Sequence, residues 1–338
     1  MTETVAENLN RALHAVLGAD EHTYLIGEDV EDPYGGAFRI TRGLSTSFPG
    51  RVRSTPISEA GIVGAGAGLA LAGNAAIVEV MFGDFLGLAF DQIVNFAGKT
   101  VSMYGTRVPM RLIVRCPVGG NRGYGPTHSQ SPQKHFIGVP DLNLFELTAW
   151  HDGTTLLRDV LAAAVPALLF EDKSLYGTPH RTPGPVDDLF HADLLDSADG
   201  GPPVVHVHPP GLPPDFLVVA TGGLADRARA ALRTLLVDED LAGHLVVPAR
   251  LYPFQAQTVR VLAERAGTVF VAEESTAGGT WGAEVAHRLG QVCGPELSGP
   301  VRLVHSRDSV IPAAPHLERT VVVQEETIRQ AIMEALLD

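Results

Sequence analysis

The sequence is poor in positive charge, and this scarcity excludes one broad class of partners. Its 338 residues carry 25 Lys and Arg side chains against 39 Asp and Glu, which gives a net charge of −14. Only Lys99, Lys134 and Lys173 are lysines. A nucleic-acid-binding surface needs a basic stripe, or a basic patch with interleaved aromatic residues, to meet the phosphate backbone. The chain has no such pattern, so we expect no nucleic-acid partner.

Cysteines and long apolar runs are also scarce. Cys116 and Cys293 are the only cysteines, and they lie far apart without the spacing of a metal site. We therefore predict two buried thiols and no metal bound by this chain. No run of eighteen apolar residues occurs, which predicts no membrane-spanning helix. The acidic first residues lack the pattern of a signal peptide, and we expect a cytoplasmic protein.

Alternation of strand-like and helix-like segments is the main pattern of the chain. A length of 338 residues suggests two domains. The alternation predicts two α/β domains, each with a mostly parallel sheet flanked by helices. We place the first domain at 1–180, a linker with little regular structure at 181–214, and the second domain at 215–338. Within the first domain, Asp84–Tyr104 is predicted to form one long helix.

A short β-rich segment leads through Ser58 and Glu59 into a run of small residues. Ser58 is a plausible N-cap, and Glu59 then falls in the first helical turn, where the helix dipole favours a carboxylate. Capping is the ordinary interpretation of such a pair. The glycines of Gly64–Gly68 lie beyond this helix start, so they do not form a dinucleotide-binding turn. They predict a helix that packs closely, against a neighbouring subunit.

Three segments together resemble a known family. Thr55–Ala60 reads Thr-Pro-Ile-Ser-Glu-Ala, the aromatic segment Glu79–Phe85 follows the next strand, and Gly125–Ser131 reads Gly-Pro-Thr-His-Ser-Gln-Ser. In this combination the chain resembles the β subunit of the thiamin-diphosphate-dependent 2-oxo acid dehydrogenase (decarboxylase) component, of the pyruvate and branched-chain type. That family belongs to the transketolase superfamily. The resemblance covers nearly the whole chain and includes Ala272–Gly279 near its end. It implies a transketolase-like pyrimidine-binding domain followed by a transketolase C-terminal-like domain.

The resemblance implies that Glu59 is catalytic and binds the cofactor. Thiamin diphosphate loses the C2 proton of its thiazolium ring to its own 4′-imino group, which becomes basic when a carboxyl group hydrogen-bonds N1′ of the aminopyrimidine. That carboxyl must be buried and hold its proton readily. The family places Glu59 in this role. By the same resemblance, Phe85 and Phe82 form a wall against the aminopyrimidine. Core packing is the alternative interpretation of both rings.

The glycine-rich loop supplies the remaining candidates. A lone histidine in a chain with thirteen is ordinarily structural. The family motif nevertheless places His128 on the substrate side of the cofactor, in proton traffic or in recognition of the acyl acceptor. Arg122 and Tyr124 share the loop and are candidates for contact with a substrate carboxylate.

One absence points to a partner. Thiamin enzymes hold the diphosphate through a metal bound by a Gly-Asp-Gly motif, and no such triplet occurs here. The resemblance therefore implies an α subunit that holds the diphosphate and Mg²⁺, in an α₂β₂ heterotetramer that is active only when both chains are present. It also implies a second copy of this chain across a dimer interface. The C-terminal domain would dimerise and dock a lipoyl-bearing acyltransferase or another carrier protein.

Departures from the family pattern leave the acceptor open. Ala162–Val165 replaces a turn that carries part of a monovalent-cation site, and Val247–Tyr252 departs from the usual Asp-Leu-Arg-Thr pattern. The first hypothesis is decarboxylation of a 2-oxo acid with acyl transfer to a lipoyl group. An alternative is a biosynthetic thiamin-dependent transferase that passes a two-carbon acyl or ketol unit to a carrier protein or small molecule. A third is a non-catalytic scaffold subunit.

Overall fold

The computed structural model describes residues 2–198 and 200–337 and divides into two compact units. The N-terminal unit comprises Met1–Val118, Gly138–Leu147 and His151–His180. The C-terminal unit comprises the intervening Gly119–Ile137 and Thr148–Trp150, together with Arg181–Asp338. Each unit holds a sheet with helices, as the alternating pattern predicts.

The N-terminal unit is built on a parallel sheet with the strand order β5-β6-β4-β3-β1-β2. Strands β1 to β6 span Thr23–Gly27, Val52–Ser54, Ala75–Glu79, Leu112–Val118, Asn143–Glu146 and Ala167–Asp172. Every residue of β3, β4 and β6 is buried. A strand buried on both faces reads as a continuous apolar run, which is why these segments stand out in the sequence.

Two helices of this unit begin at side-chain caps. Helices α1 to α4 span Val5–Ala19, Leu44–Ser47, Glu59–Leu71 and Gly153–Ala162. Thr4 and Glu7 form a capping box at the start of α1. Asp152 caps α4 by accepting a hydrogen bond from the Thr155 amide.

The prediction of one long helix over Asp84–Tyr104 is wrong. A 3₁₀ helix spans Gly83–Ala89, a π-helix spans Gln92–Gly98, and turns follow at 101–104. Glycines inside this segment lower its α-helical propensity. Gly98 has a further role, because a Cβ there would lie 3.2 Å from the Pro140 carbonyl oxygen.

The C-terminal unit contains a seven-stranded sheet with the order β14-β13-β10-β11-β9-β8-β7. Strands β7 to β14 span Gly184–Pro185, His191–Leu195, Val204–His208, Phe216–Val219, Gly243–Val247, Arg250–Tyr252, Val269–Thr276 and Arg302–Ser306. Helices α5 to α9 span Leu224–Glu239, Ala256–Ala266, Trp281–Cys293, Pro315–Val321 and Glu325–Leu337. The pairs among β14, β13, β10 and β11 are parallel, whereas β9, β8 and β7 add antiparallel pairs.

The prediction of little regular structure at 181–214 is wrong. Strands β7, β8 and β9 lie within this stretch and extend the sheet of the C-terminal unit. Its proline, histidine and aspartate content hides short strands whose alternate residues are polar. Their formation depends on pairing with β11, which lies farther along the chain.

Two expectations from composition can be compared with the structure. Cys116 and Cys293 are free and buried, as predicted. Within the described part of the chain, no helix combines the length and apolar character needed to cross a bilayer.

Candidate active site

Glu59 is the first residue of α3, at the end of the helix that carries the positive partial charge. Its side chain is buried, with 6% of the residue exposed. Ser58 occupies the N-cap position, as predicted, but its hydroxyl makes no capping hydrogen bond within the described chain. The helix dipole stabilises a carboxylate at the first residue of a helix. The position of Glu59 is therefore electrostatically favourable.

A second buried carboxyl, that of Glu28, interacts electrostatically with Glu59. Glu28 directly follows β1 and is 6% exposed. Burial raises the pKa of Glu28, and the charge of Glu59 raises it further. Among the described residues, Glu28 Oε1 has no hydrogen-bond partner. Buried polar atoms are almost always paired, so this carboxyl oxygen indicates a place for a water molecule or a ligand.

Sequence reasoning assigned no role to Glu28. The available signal was an acidic residue at the exit of a buried strand, within Gly27–Val30. Its burial and its coupling to Glu59 depend on the packing of separate segments, so the sequence alone could not reveal them.

Phe82 and Phe85 lie together in the N-terminal unit. Their ring centroids are 6.3 Å apart at an interplanar angle of 90°, an edge-to-face pair. The ring of Phe38 extends this cluster, 6.0 Å from that of Phe82. Phe82 and Phe85 are both only half-buried. Each ring therefore packs within this cluster and keeps part of its surface exposed. Helix α3, which begins with Glu59, packs against the 3₁₀ helix that carries Phe85.

A buried ion network supports this aromatic cluster. Arg115 is fully buried and donates to both oxygens of Glu171, at 2.7 and 2.6 Å, and also to Glu79. Burial opposes the charge of Arg115, but Glu171 and Glu79 outweigh it and raise the pKa of Arg115. The other oxygen of Glu79 accepts a hydrogen bond of 2.8 Å from the Ala37 amide. The network thereby anchors the backbone next to Phe38.

His128, Arg122 and Tyr124 lie in the C-terminal unit, on the loop that begins at Gly119. His128 is half-buried, and its Nδ1 is 2.9 Å from the Thr127 hydroxyl oxygen. Arg122 is exposed, and Tyr124 is 42% exposed. The two exposed side chains are accessible to a substrate or to another protein.

Buried carboxylates hold this loop by its backbone. The Gly120 amide donates to Glu274 at 2.6 Å, and the Gly123 amide donates to Glu318 at 3.0 Å. Glu318 is 1% exposed. These bonds explain why the loop clusters with the C-terminal unit, although it precedes residue 180 in the sequence. Sequence reasoning missed both carboxylates, because they lie about 150 residues or more from the loop.

A pocket of about 640 Å³ opens in the C-terminal unit beside the His128 loop. Gln130 and Ser131 of the loop contribute to its wall, and Thr276 lines another part. Lys134 is also in the lining, and its Nζ donates to the carbonyl and hydroxyl oxygens of Thr276 at 3.0 Å. The volume falls in the range typical of small-molecule sites.

The predicted site residues thus fall into two groups. Glu59, Phe82 and Phe85 belong to the N-terminal unit, whereas Arg122, Tyr124 and His128 belong to the C-terminal unit. Within each group the structure provides a place where a ligand could bind. The individual roles remain predictions.

Comparison with known proteins identifies both parts of the chain. The family model described as "Transketolase, pyrimidine binding domain" matches residues 3–179, and the "Transketolase, C-terminal domain" model matches residues 211–328. In the solved structure of a split-gene transketolase, an inactive β₄ tetramer, one chain superposes with a TM-score of 0.72 at 18% identity. The match covers 100% of this chain and 99% of that one. At this identity the likeness supports the fold alone.

Curated relatives match most of the chain. The pyruvate dehydrogenase E1 component subunit β of Leifsonia xyli subsp. xyli is 30% identical over 90% of this chain and 87% of that protein. The mitochondrial 2-oxoisovalerate dehydrogenase subunit β 2 of Arabidopsis thaliana is 32% identical, over 90% and 81% respectively. The 3-methyl-2-oxobutanoate dehydrogenase subunit β of Mycobacterium tuberculosis is 28% identical, over 97% and 92%. The resemblance inferred from the motifs is confirmed: the chain belongs to the transketolase-like family that includes the β subunits of pyruvate and branched-chain 2-oxo acid dehydrogenases.

Proposed function

We propose that this chain is the β subunit of a heteromeric thiamin-diphosphate-dependent 2-oxo acid dehydrogenase component. Together with an α subunit it decarboxylates a 2-oxo acid and transfers the acyl unit to a lipoyl group. Membership of the family implies the dependence on thiamin diphosphate. The observation that carries the proposal for this chain is the buried carboxyl of Glu59 at the start of α3, in the unit matched by the pyrimidine-binding model.

The residues present fit the aminopyrimidine half of the cofactor. Glu59 offers a buried carboxyl, Phe82 and Phe85 offer half-buried aromatic surface, and Glu28 has a buried oxygen with no partner among the described residues. When bound, thiamin diphosphate supplies the nucleophilic carbon that adds to a 2-oxo group. The Glu59 carboxyl would hydrogen-bond the pyrimidine ring. Phe82 and Phe85 would bind the flat face of the ring and exclude water from it.

His128 and its loop fit a role on the substrate or acceptor side. The Thr127 hydroxyl lies 2.9 Å from Nδ1 and restrains the imidazole ring, and because a hydroxyl both donates and accepts it can serve either tautomer. The exposed guanidinium of Arg122 suits a carboxylate, and Tyr124 adds a phenol beside it. The pocket next to the loop supports approach of a small substrate or a lipoyl arm.

The partners follow from what this chain lacks. We assign the diphosphate and Mg²⁺ to the α subunit, because no Gly-Asp-Gly motif occurs in this sequence. The assembly would be an α₂β₂ heterotetramer in the cytoplasm, with contact between two copies of this chain. The C-terminal unit would dock the lipoyl-bearing acyltransferase.

Calorimetric binding of thiamin diphosphate with Mg²⁺ tests the split site. We expect tight binding to the chain co-expressed with its α subunit and none to the chain alone. Glu59→Gln should lower turnover of the assembled enzyme by about 10²- to 10⁴-fold, the usual loss for an acid–base group. Glu21→Gln is a matched control, because the Glu21 side chain is 88% exposed. Tight binding by the chain alone would contradict the split site.

A second candidate function keeps the cofactor and changes the acceptor. It is favoured by the departures at Ala162–Val165 and at Val247–Tyr252, the segment that ends β11 and forms β12. In this function a two-carbon acyl or ketol unit passes to a carrier protein or small molecule. Transfer to a carrier protein, with no transfer to any lipoyl acceptor, would decide for it. Unchanged turnover in Glu59→Gln would instead support a non-catalytic scaffold.

A further inference from the structure

A group of polar side chains occupies one face of the antiparallel strands β8, β9 and β11. In the β8–β9 register, His191 lies opposite His208, and Asp193 lies opposite His206. The β9–β11 register brings His244 to the same face, with its ring centroid 5.4 Å from that of His208. Opposed residues and residues two apart share a face of a sheet. Four imidazoles and one carboxylate therefore converge on one part of the C-terminal unit.

Three of these side chains bring metal-ligating atoms close together. His208 Nε2 is 2.8 Å from Asp193 Oδ2, and His191 Nδ1 is 3.3 Å from Asp193 Oδ1. One ligand atom from each residue can be chosen so that all three lie within 4.8 Å of one another. In the described ranges 2–198 and 200–337, this is the single group of three or more His, Cys, Asp or Glu side chains that meets this condition.

The donor set selects a class of ion. Two imidazole nitrogens and one carboxylate oxygen suit a borderline divalent transition metal such as Zn²⁺, whereas Mg²⁺ prefers oxygen ligands alone. Zn²⁺ is bound at about 2.0–2.2 Å by each such ligand, so ligand atoms around it lie about 3–4 Å apart. The observed separations, 2.8 and 3.3 Å for two of the pairs and at most 4.8 Å among the chosen atoms, lie close to this spacing.

The cluster is accessible from solvent and is supported from one side. The side chains of His191, Asp193 and His208 are 36%, 52% and 18% exposed, so an ion can enter. The ring of His206 stacks on that of His208, with centroids 4.5 Å apart at 21°. The stacking limits rotation of His208, and ligand orientation of this kind strengthens metal binding.

A hydrogen-bonded chain fixes the supporting ring. His244 Nε2 is 3.1 Å from the Leu212 carbonyl oxygen, which can only accept, so this nitrogen donates. His244 Nδ1 then accepts from His206 Nε2 at 3.0 Å. These bonds hold His206 in place behind His208. They use none of the three ligand atoms of His191, Asp193 and His208.

We propose that His191, Asp193 and His208 form a binding site for one divalent transition-metal ion of the Zn²⁺ class. The ion would link β8 to β9 and stabilise this antiparallel part of the sheet. The site departs from the expectation, based on the sequence, that this chain binds no metal, and it is independent of the Mg²⁺ that the proposed function assigns to the α subunit. It also does not depend on that function, because it uses none of the candidate active-site residues.

Titration of the full chain with Zn²⁺ after chelator treatment tests the proposal. We expect one ion per chain by calorimetry. His208→Gln and Asp193→Asn should each weaken Zn²⁺ binding by at least about tenfold, since even the loss of an outer-shell group costs about that much. His316→Gln is the control, because this histidine is exposed and lies outside the cluster. It should bind as the unaltered chain does.

Thermal unfolding provides a second readout and a check on folding. Zn²⁺ should raise the unfolding temperature of the unaltered chain and of His316→Gln, because a ligand that binds only the native state stabilises it. It should not raise that of Asp193→Asn, a near-isosteric change at a half-exposed residue whose fold can be verified by circular dichroism. Absence of stoichiometric Zn²⁺ binding would overturn the proposal. Zn²⁺ affinity in the His208→Gln and Asp193→Asn variants equal to that of the unaltered chain would overturn it too.

Discussion

Two glycines of α3 provide a matched test of how this helix packs. Gly66 is buried against the sheet, and a Cβ there would lie 2.3 Å from Val78 Cγ2 and 3.3 Å from Leu112 Cδ1. Gly68 lies one half-turn farther along, where a Cβ would meet nothing within 4 Å. We expect Gly66→Ala to destabilise the chain and Gly68→Ala to stabilise it.

The magnitudes follow from two opposing effects. Replacing glycine by alanine inside a helix stabilises it by about 1 kcal/mol, and this gain applies to both positions. At Gly66 the new methyl group must displace Val78, a stiff β-branched side chain with 0% exposure, and overpacking of this kind costs about 1–3 kcal/mol. The stability difference between the two variants removes the shared helix term. We therefore expect Gly66→Ala to be about 1–3 kcal/mol less stable than Gly68→Ala.

Hydrogen exchange measured by mass spectrometry is a suitable assay, because it reports on α3 and β3 separately from the C-terminal unit. Exchange in these peptides should be faster in Gly66→Ala than in the unaltered chain and slower in Gly68→Ala. Urea unfolding of the same proteins gives an independent ranking. Equal stability of the two variants, or a more stable Gly66→Ala, would refute the packing argument.

Three further predictions concern buried charge, pH and the aromatic cluster. Arg115→Met should destabilise the N-terminal unit by about 3–5 kcal/mol in hydrogen exchange, because Glu171 would be left buried without its counter-charge; a loss below about 1 kcal/mol would contradict this. Burial raises the pKa of Asp152, but its hydrogen bonds with Arg11 and the Thr155 amide outweigh burial and hold that pKa at about 2. Since the pKa of an unfolded Asp is about 4, the stability that Asp152 contributes is present above about pH 4 and lost as the pH falls towards 2. The stability of Asp152→Asn, measured by acid unfolding, should therefore depend less on pH in that window. Phe82→Leu should weaken thiamin diphosphate binding by the assembled enzyme by about two- to tenfold, the equivalent of one edge-to-face aromatic contact, and unchanged calorimetric affinity would exclude a contact with the cofactor.

Local patterns were sufficient for several features. The buried strands of the N-terminal unit appear as apolar runs in the sequence. Thr55–Ala60 contains Glu59 together with the N-cap position that begins its helix. The predictions that were wrong concern segments without a clear local period. Strands β7 to β9 lie in a stretch rich in proline and histidine, and Gly83–Gly98 adopts 3₁₀ and π geometry where an α-helix was expected.

The sequence by itself determined the α/β alternation, the family and the position of Glu59 at the start of a helix, because each depends on residues within a short distance along the chain. Only the tertiary structure decided that Glu28 is buried with an oxygen that pairs with none of the described residues, that the His128 loop is held by Glu274 and Glu318, and that β8 and β9 bring His191 opposite His208. These features arise from contacts between distant segments. Strand register and the burial of a charge depend on which segments pair and pack, and no local pattern of residues specifies them.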